Sequence, residues 1–172
     1  KMSDGLKRKA FSWLVVCCGV IIAGICVFMQ YQNYAFPKAA SMERYAVLSK
    51  NQVKFSIESL LLKNRGYTEV SGWIYVKNEE PQKYVTSLVL YNDKNDKSLV
   101  FPLKMVERVD VAKMRKERGK YNYENSGFDG YIPAKYMTEM PHKEYQLGFL
   151  IADGQKTRLV KTGIPYKIGG LK

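Results

Sequence analysis

Cysteine is missing from all but one stretch of this sequence. Cys17, Cys18 and Cys26 lie together inside an apolar run, so the remainder has to fold without disulfides and without a thiolate metal site. Histidine is almost missing as well: His142 stands alone between Pro141 and Lys143, in a turn-like context. Catalysis by it would need an exposed nucleophile and an orienting carboxylate; Ser126 and Asp129 are the nearest by character, and a surface histidine is the preferred reading. Walker and dinucleotide-binding glycine patterns do not occur. Amphipathic helices of useful length are lacking too, since residues 111–120 and 134–140 are too short to cover a sheet, and this excludes a βαβ fold. Carboxylates are scarce beside cations, 16 Asp and Glu against 28 Lys and Arg, for a net charge of +12. That excess favours an anionic partner such as lipid headgroups or an acidic polymer. Nucleic acid is disfavoured, because no zinc-finger spacing or RNA-binding aromatic motif accompanies the charge.

What is present begins with residues 11–29, FSWLVVCCGVIIAGICVFM, an uncharged run that would extend roughly 29 Å as a helix and so cross a bilayer. Lys7, Arg8 and Lys9 precede it and no charge follows until Lys38, which places the basic end in the cytoplasm and the rest outside. The apolar core is longer than that of a cleaved signal, and bulky Val16 and Ile25 precede Cys17 and Cys26 where a lipoprotein signal needs a small residue, so a retained signal-anchor is expected. Ser12, Gly19, Ala23 and Cys26 recur at helical spacing and would offer one small-residue face to a partner helix.

Beyond the run, residues 31–51 read as a membrane-proximal stalk, interrupted by Pro37 and carrying a short helical piece over 39–48. Period-two patterning predicts strands over 53–57 and 67–76, and β-rich stretches between polar turns predict five more, over 84–91, 98–103, 127–132, 145–151 and 157–161, with Asp153-Gly154 as a turn. The expected fold is all-β: a single N-terminal transmembrane helix followed by an Ig-like antiparallel β-sandwich, a barrel being the alternative. The expected divisions are a basic tail over 1–10, the helix over 11–30, the stalk over 31–51, the sandwich over 52–165 and a tail over 166–172.

Candidate sites are few. Asp93 and Asp96 fit a hairpin loop better than a calcium site, because Lys94 and Lys97 oppose the ion, and Glu79 and Glu80 read as solvated turn residues. Trp73 is expected in the core, as is Phe128. Tyr121 and Tyr123 flank the basic stretch that holds Arg115 and Arg118, and Tyr131 follows it; rings beside cations can stack on sugars or hold an anionic polymer. Arg108 and Asp110, two residues apart, fit a structural salt link, with Arg108 also a candidate contact for an acidic group. No cofactor is implied by any of these residues.

The fragments SGW at 71–73, RVDVA at 108–112, SGF at 126–128 and YQLGFLI at 145–151 resemble those of small β-sandwich modules attached to bacterial enzymes that make or decorate cell-surface polysaccharides and teichoic acids. The resemblance covers roughly residues 52–162. It implies an accessory module with no catalytic residue to carry over; Ser71, Gly72, Trp73, Arg108, Asp110, Gly127 and Phe128 would be its signature positions. The chain differs in carrying this module on a membrane anchor with no enzyme domain beside it. The function expected on these grounds is a non-catalytic accessory subunit of a membrane-embedded complex that makes or exports a cell-envelope glycan or lipid-linked polymer, with a polytopic membrane protein, a glycan-handling enzyme or transporter, as partner. The alternative is a membrane-anchored surface module that binds carbohydrate or anionic polymer.

Overall fold

Alternating apolar and polar residues become strands because period two turns one side of each segment to a buried layer and the other to water. A computed structural model of the protein describes residues 4–35, 37–63, 66–93, 95–113, 120–138 and 144–166. They fall into two compact units, Lys1–Phe36 and Pro37–Lys172.

The first unit is helix α1, Asp4–Ala35. Its segment Phe11–Tyr31 is long and apolar enough to cross a membrane. Phe11, Trp13, Leu14, Ile21, Ile22, Ile25 and Phe28 are all exposed along it, an arrangement that lipid, not water, stabilises. The helix is a membrane anchor.

The second unit holds nine strands: β1 Lys38–Ala40, β2 Ala46–Val47, β3 Val53–Lys63, β4 Tyr67–Val76, β5 Val85–Asn92, β6 Asn95–Val106, β7 Gly127–Pro133, β8 Tyr145–Ala152 and β9 Thr157–Tyr166. Two short helices, α2 Val109–Lys113 and α3 Lys135–Thr138, lie on either side of β7 in sequence. The strands pair in the order β2-β9-β8-β5-β6-β7-β4-β3, with β1 also on β6. All these pairs are antiparallel except β2 with β9.

Strand β6 makes the fold two-layered. Its first part pairs with β5 as far as Pro102, and from Leu103 onward it pairs with β7. Proline has no N–H to give a ladder, so the exchange of partners falls where the chain can tolerate it. One curled sheet thus doubles over into layers β2-β9-β8-β5-β6 and β6-β7-β4-β3. The strand path ends at β2 and β3 without closing among the described residues, which makes it an open Ig-like sandwich and not a closed barrel.

Between the layers Phe149 of β8 meets Phe128 of β7 at 5.1 Å and Phe55 of β3 at 6.1 Å between ring centroids. Leu88, Leu90, Leu147 and Ile151 from one layer and Val70, Ile74 and Ile132 from the other complete the core. Near its rim, Thr68 of β4 and Tyr166 of β9 join their hydroxyls at 2.8 Å, a buried bond between the layers. A second, smaller cluster lies on the other side of the first layer, where Met42 and Tyr45 pack over Val89, Tyr91, Leu150 and Leu159.

That cluster changes the reading of the membrane-proximal segment. The expected stalk is, from Lys38 onward, part of the sandwich: β1 pairs with β6, β2 with β9, and the Leu48 N–H donates to the Leu159 carbonyl at 2.8 Å. The short helical piece is a 3-10 turn, Met42–Arg44, between those two strands. Strands of three and two residues carry no periodic signal of their own, and long-range pairing decides them.

Replacing Phe149 with alanine removes the ring both layers share and should lower stability by about 3–5 kcal/mol. The change is read as a lower urea midpoint at unchanged m-value; an unmoved midpoint would refute the central place of this ring.

Candidate functional site

The outer face of β3, β4 and β7 is the part of the sandwich on which most of the signature residues meet. Register sets Trp73 beside Gly127 and Gly72 beside Phe128. Both glycines are demanded by crowding: a Cβ at Gly127 would strike the Arg108 side chain and the Val106 carbonyl at 2.5 Å, and one at Gly72 would run into the Ser56 carbonyl oxygen. SGW, SGF and RVDVA are therefore one packing junction, assembled from β4, β7 and the start of α2.

Over this junction residues 107–113 and 120–126 form a cap. Trp73 stacks on Tyr75 at 5.7 Å and 16°, and Tyr75 meets Tyr123 at 4.2 Å. The Tyr123 hydroxyl accepts the Asn78 N–H at 3.1 Å, and the Arg108 N–H donates to the Glu124 carbonyl. Trp73 thus lies half-buried on the outer side of the sheet and not in the sandwich core, because Ile74 and Gly72 take the inward positions of β4.

Arg108 pins the cap. Its guanidinium donates to both Glu58 oxygens at 2.7 and 2.9 Å and to both Asp110 oxygens at 2.8 and 2.6 Å. Glu58 is available because the β3–β4 register slips between Ile57 and Ser59, leaving it as an extra residue on the outer side while Ile57 and Leu60 both pack on the core. The hydrogen bonds from Arg108 hold the Asp110 carboxyl down at about 2, and the two carboxylates in turn raise the Arg108 guanidinium above its usual range.

Other charged candidates are also committed to the fold. Arg158, nearly buried, forms a two-pronged pair with Glu79 at 2.7 and 2.6 Å, with Asp153 at 3.7 Å, so Glu79 is an ion-pair partner beyond its expected place in a turn. Asp93 takes Lys161 at 2.7 Å. Ser126 is fully buried under the cap, while Asp129 faces outward. No cluster of metal-ligating residues occurs among those described.

The residues expected to form a contact surface are thus distributed unequally. Tyr123 and Arg108 are built into the cap; Tyr121 is half-buried nearby with the Lys120 ammonium 5.8 Å from its ring. Arg115 and Arg118 lie outside the described residues, as do His142 and the tail from 167. Ser12, Gly19, Ala23 and Cys26 fall along one continuous helix, where a Cβ at Gly19 meets nothing within 4 Å.

The cap covers only part of the outer face. Past Glu58 the same three strands present open rows, Ser59–Ser71–Asp129 followed by Leu61–Glu69–Tyr131 and then Lys63–Tyr67–Pro133. Tyr67 and Tyr131 meet edge to face at 5.3 Å and 83°, and Tyr131 and Leu61 keep 56% and 54% of their surface exposed. The sequence offered part of this signal, since Tyr67, Glu69 and Ser71 alternate onto the side of Trp73. The bulge at Glu58 concealed the rest by reversing the parity of β3, which turns Leu61 outward.

Because the Asp110 carboxyl sits at about 2 against an ordinary 3.8, its contribution is complete above about pH 4 and is lost as pH falls toward 2. Acid titration of the melting temperature should therefore show a loss across that interval, and Asp110→Asn should flatten it. Equal slopes for the two proteins would refute the Arg108 clamp.

The chain matches no protein-family model and no curated protein sequence. Among solved structures, the crystal structure of S. aureus TarS is similar to it, at a TM-score of 0.44 and 12% sequence identity, over 63% of this chain and 16% of that one.

Proposed function

We propose that this protein is a non-catalytic, membrane-anchored module that holds an anionic polymer at the outer surface of the cell membrane, its basic end in the cytoplasm and its sandwich outside. The observation that carries this reading is the unequal use of charge. Glu58, Asp110, Glu79, Asp153 and Asp93 are held in ion pairs, and only a few carboxylates, such as Glu43, Glu107 and Glu144, stand exposed outside the ion pairs among the described residues. Lys38, Lys50, Lys54, Lys77 and Lys156 are exposed and take no part in the ion pairs among the described residues. Such a surface attracts a polyanion from many directions without a single built pocket. Arg108, Arg158 and Asp93 already serve the fold, which supports a binding role over a chemical one.

The open stripe of Ser12, Gly19, Ala23 and Cys26 supports a further reading. In it the module is accessory to a polytopic glycan-handling membrane protein that packs against the anchor. Co-purification with such a protein, weakened by Gly19→Leu, tests that contact.

The full chain in nanodiscs should retain poly(glycerol phosphate) at low salt and release it steeply as ionic strength rises to roughly 0.5 M, where screening falls below the spacing of surface charges. No retention at low salt, or retention that salt leaves unchanged, overturns the reading.

A further inference from the structure

We infer that the open half of the outer face, centred on Tyr131 and Tyr67, is a carbohydrate subsite that takes an uncharged run of pyranose units. The inference deepens the proposed function, from which it takes only the setting at the cell surface; the binding it describes does not use the cation excess.

Three observations select this occupant. The first is a rigid apolar platform. Tyr131 and Tyr67 project from neighbouring positions of paired strands, their rings meet edge to face at 5.3 Å, and Leu61 lies exposed in the row of Tyr131, on the far side of Glu69. A pyranose ring presents C–H bonds on one face, and a tyrosine held by a sheet stacks on that face with little ordering cost.

The second is the polar surround. Glu69 stands between Leu61 and Tyr131 in their row, and Ser71 and Asp129 fill the row beside it, so carboxylate and hydroxyl oxygens flank the platform where equatorial sugar hydroxyls would lie.

The third is charge. On a chain of +12 the carboxylates of these rows each have a cation beside them among the described residues: Glu69 lies 3.6 Å from Lys63, and Asp129 stands in register with Lys104. A phosphate polymer gains little from a neutral patch, and a lipid surface would favour cations around the rings. An uncharged, hydroxyl-rich ligand complements it.

The test uses the full chain in nanodiscs at roughly 0.5 M salt, where polyanion binding is screened. Hexasaccharides of β-1,4-glucose, β-1,4-N-acetylglucosamine and α-mannose are titrated by calorimetry. At least one should bind, Tyr131→Ala should weaken it about tenfold or more, and Tyr131→Phe should leave it within about twofold. Tyr67→Ala serves as the second variant if Tyr131→Ala lowers the melting temperature, and saturation transfer from the tyrosine rings to sugar protons checks the unmodified protein. Failure of the whole panel to bind, or binding that neither alanine variant weakens, overturns the subsite. If polyanion retention at low salt persists in that case, the proposed function stands and only this inference falls; if polyanion retention fails while the tyrosine-dependent sugar binding is present, the reverse holds.

Discussion

Phe149 is the residue on which the two layers depend. The domain has no cysteine to cross-link them, so their contact has to come from apolar packing, and this ring meets an aromatic residue from two different strands of the facing layer. Every feature of the outer face follows from that contact. Strands β3, β4 and β7 display a defined set of outward side chains only because Ile57, Val70, Ile74 and Phe128 are fixed inward, and period two then leaves no freedom in what faces water.

The extra residue at Glu58 divides that outer face in two. On one side of it, Arg108 holds Glu58 and Asp110 together and Tyr123 closes over Tyr75, on which Trp73 stacks. On the other side, parity is reversed, Leu61 faces outward, and the sheet carries its aromatics uncovered. A single bulge thus supplies the carboxylate that anchors the cap and sets the limit of the region the cap protects. Exposed carboxylates paired with one arginine contribute modestly as isolated pairs, but four hydrogen bonds from one guanidinium make geometry, more than Coulomb energy, the main product.

Much of this was legible in the sequence, for identifiable reasons. All seven expected strands recur as β3 to β9: β3 and β4 alternate between the core and the outer face, while β5 and β8 read as nearly continuous apolar runs because the core covers one side of them and Met42 and Tyr45 the other. The signature fragments were legible as fragments but not as a junction; only the register of β4 on β7 reveals that Gly72, Gly127 and Arg108 crowd one another. Three things were hidden. Strands β1 and β2 are too short to show a period. Trp73 looked like core by residue type, yet its inward neighbours Gly72 and Ile74 had already taken that side. Tyr123 looked like a surface contact by its polar neighbours, and its ring and hydroxyl are both occupied by Tyr75 and Asn78.

The separation between charge and aromatic surface is the feature with the most bearing on function. A module that relied on cations alone would hold any polyanion and lose it with salt, while one that relied on stacked rings alone would hold a sugar weakly wherever it was presented. Here the exposed lysines are dispersed over Lys38, Lys50, Lys77 and Lys156, and the uncovered tyrosines stand on a charge-balanced part of one sheet. In the proposed reading, long-range attraction and short-range recognition therefore fall to different residues, and either can change without disturbing the other. The Arg108 clamp holds its partners on the far side of the bulge from Tyr67 and Tyr131, so these two rings are carried by paired strands and set against each other without being buried, which is the condition the proposed sugar contact requires.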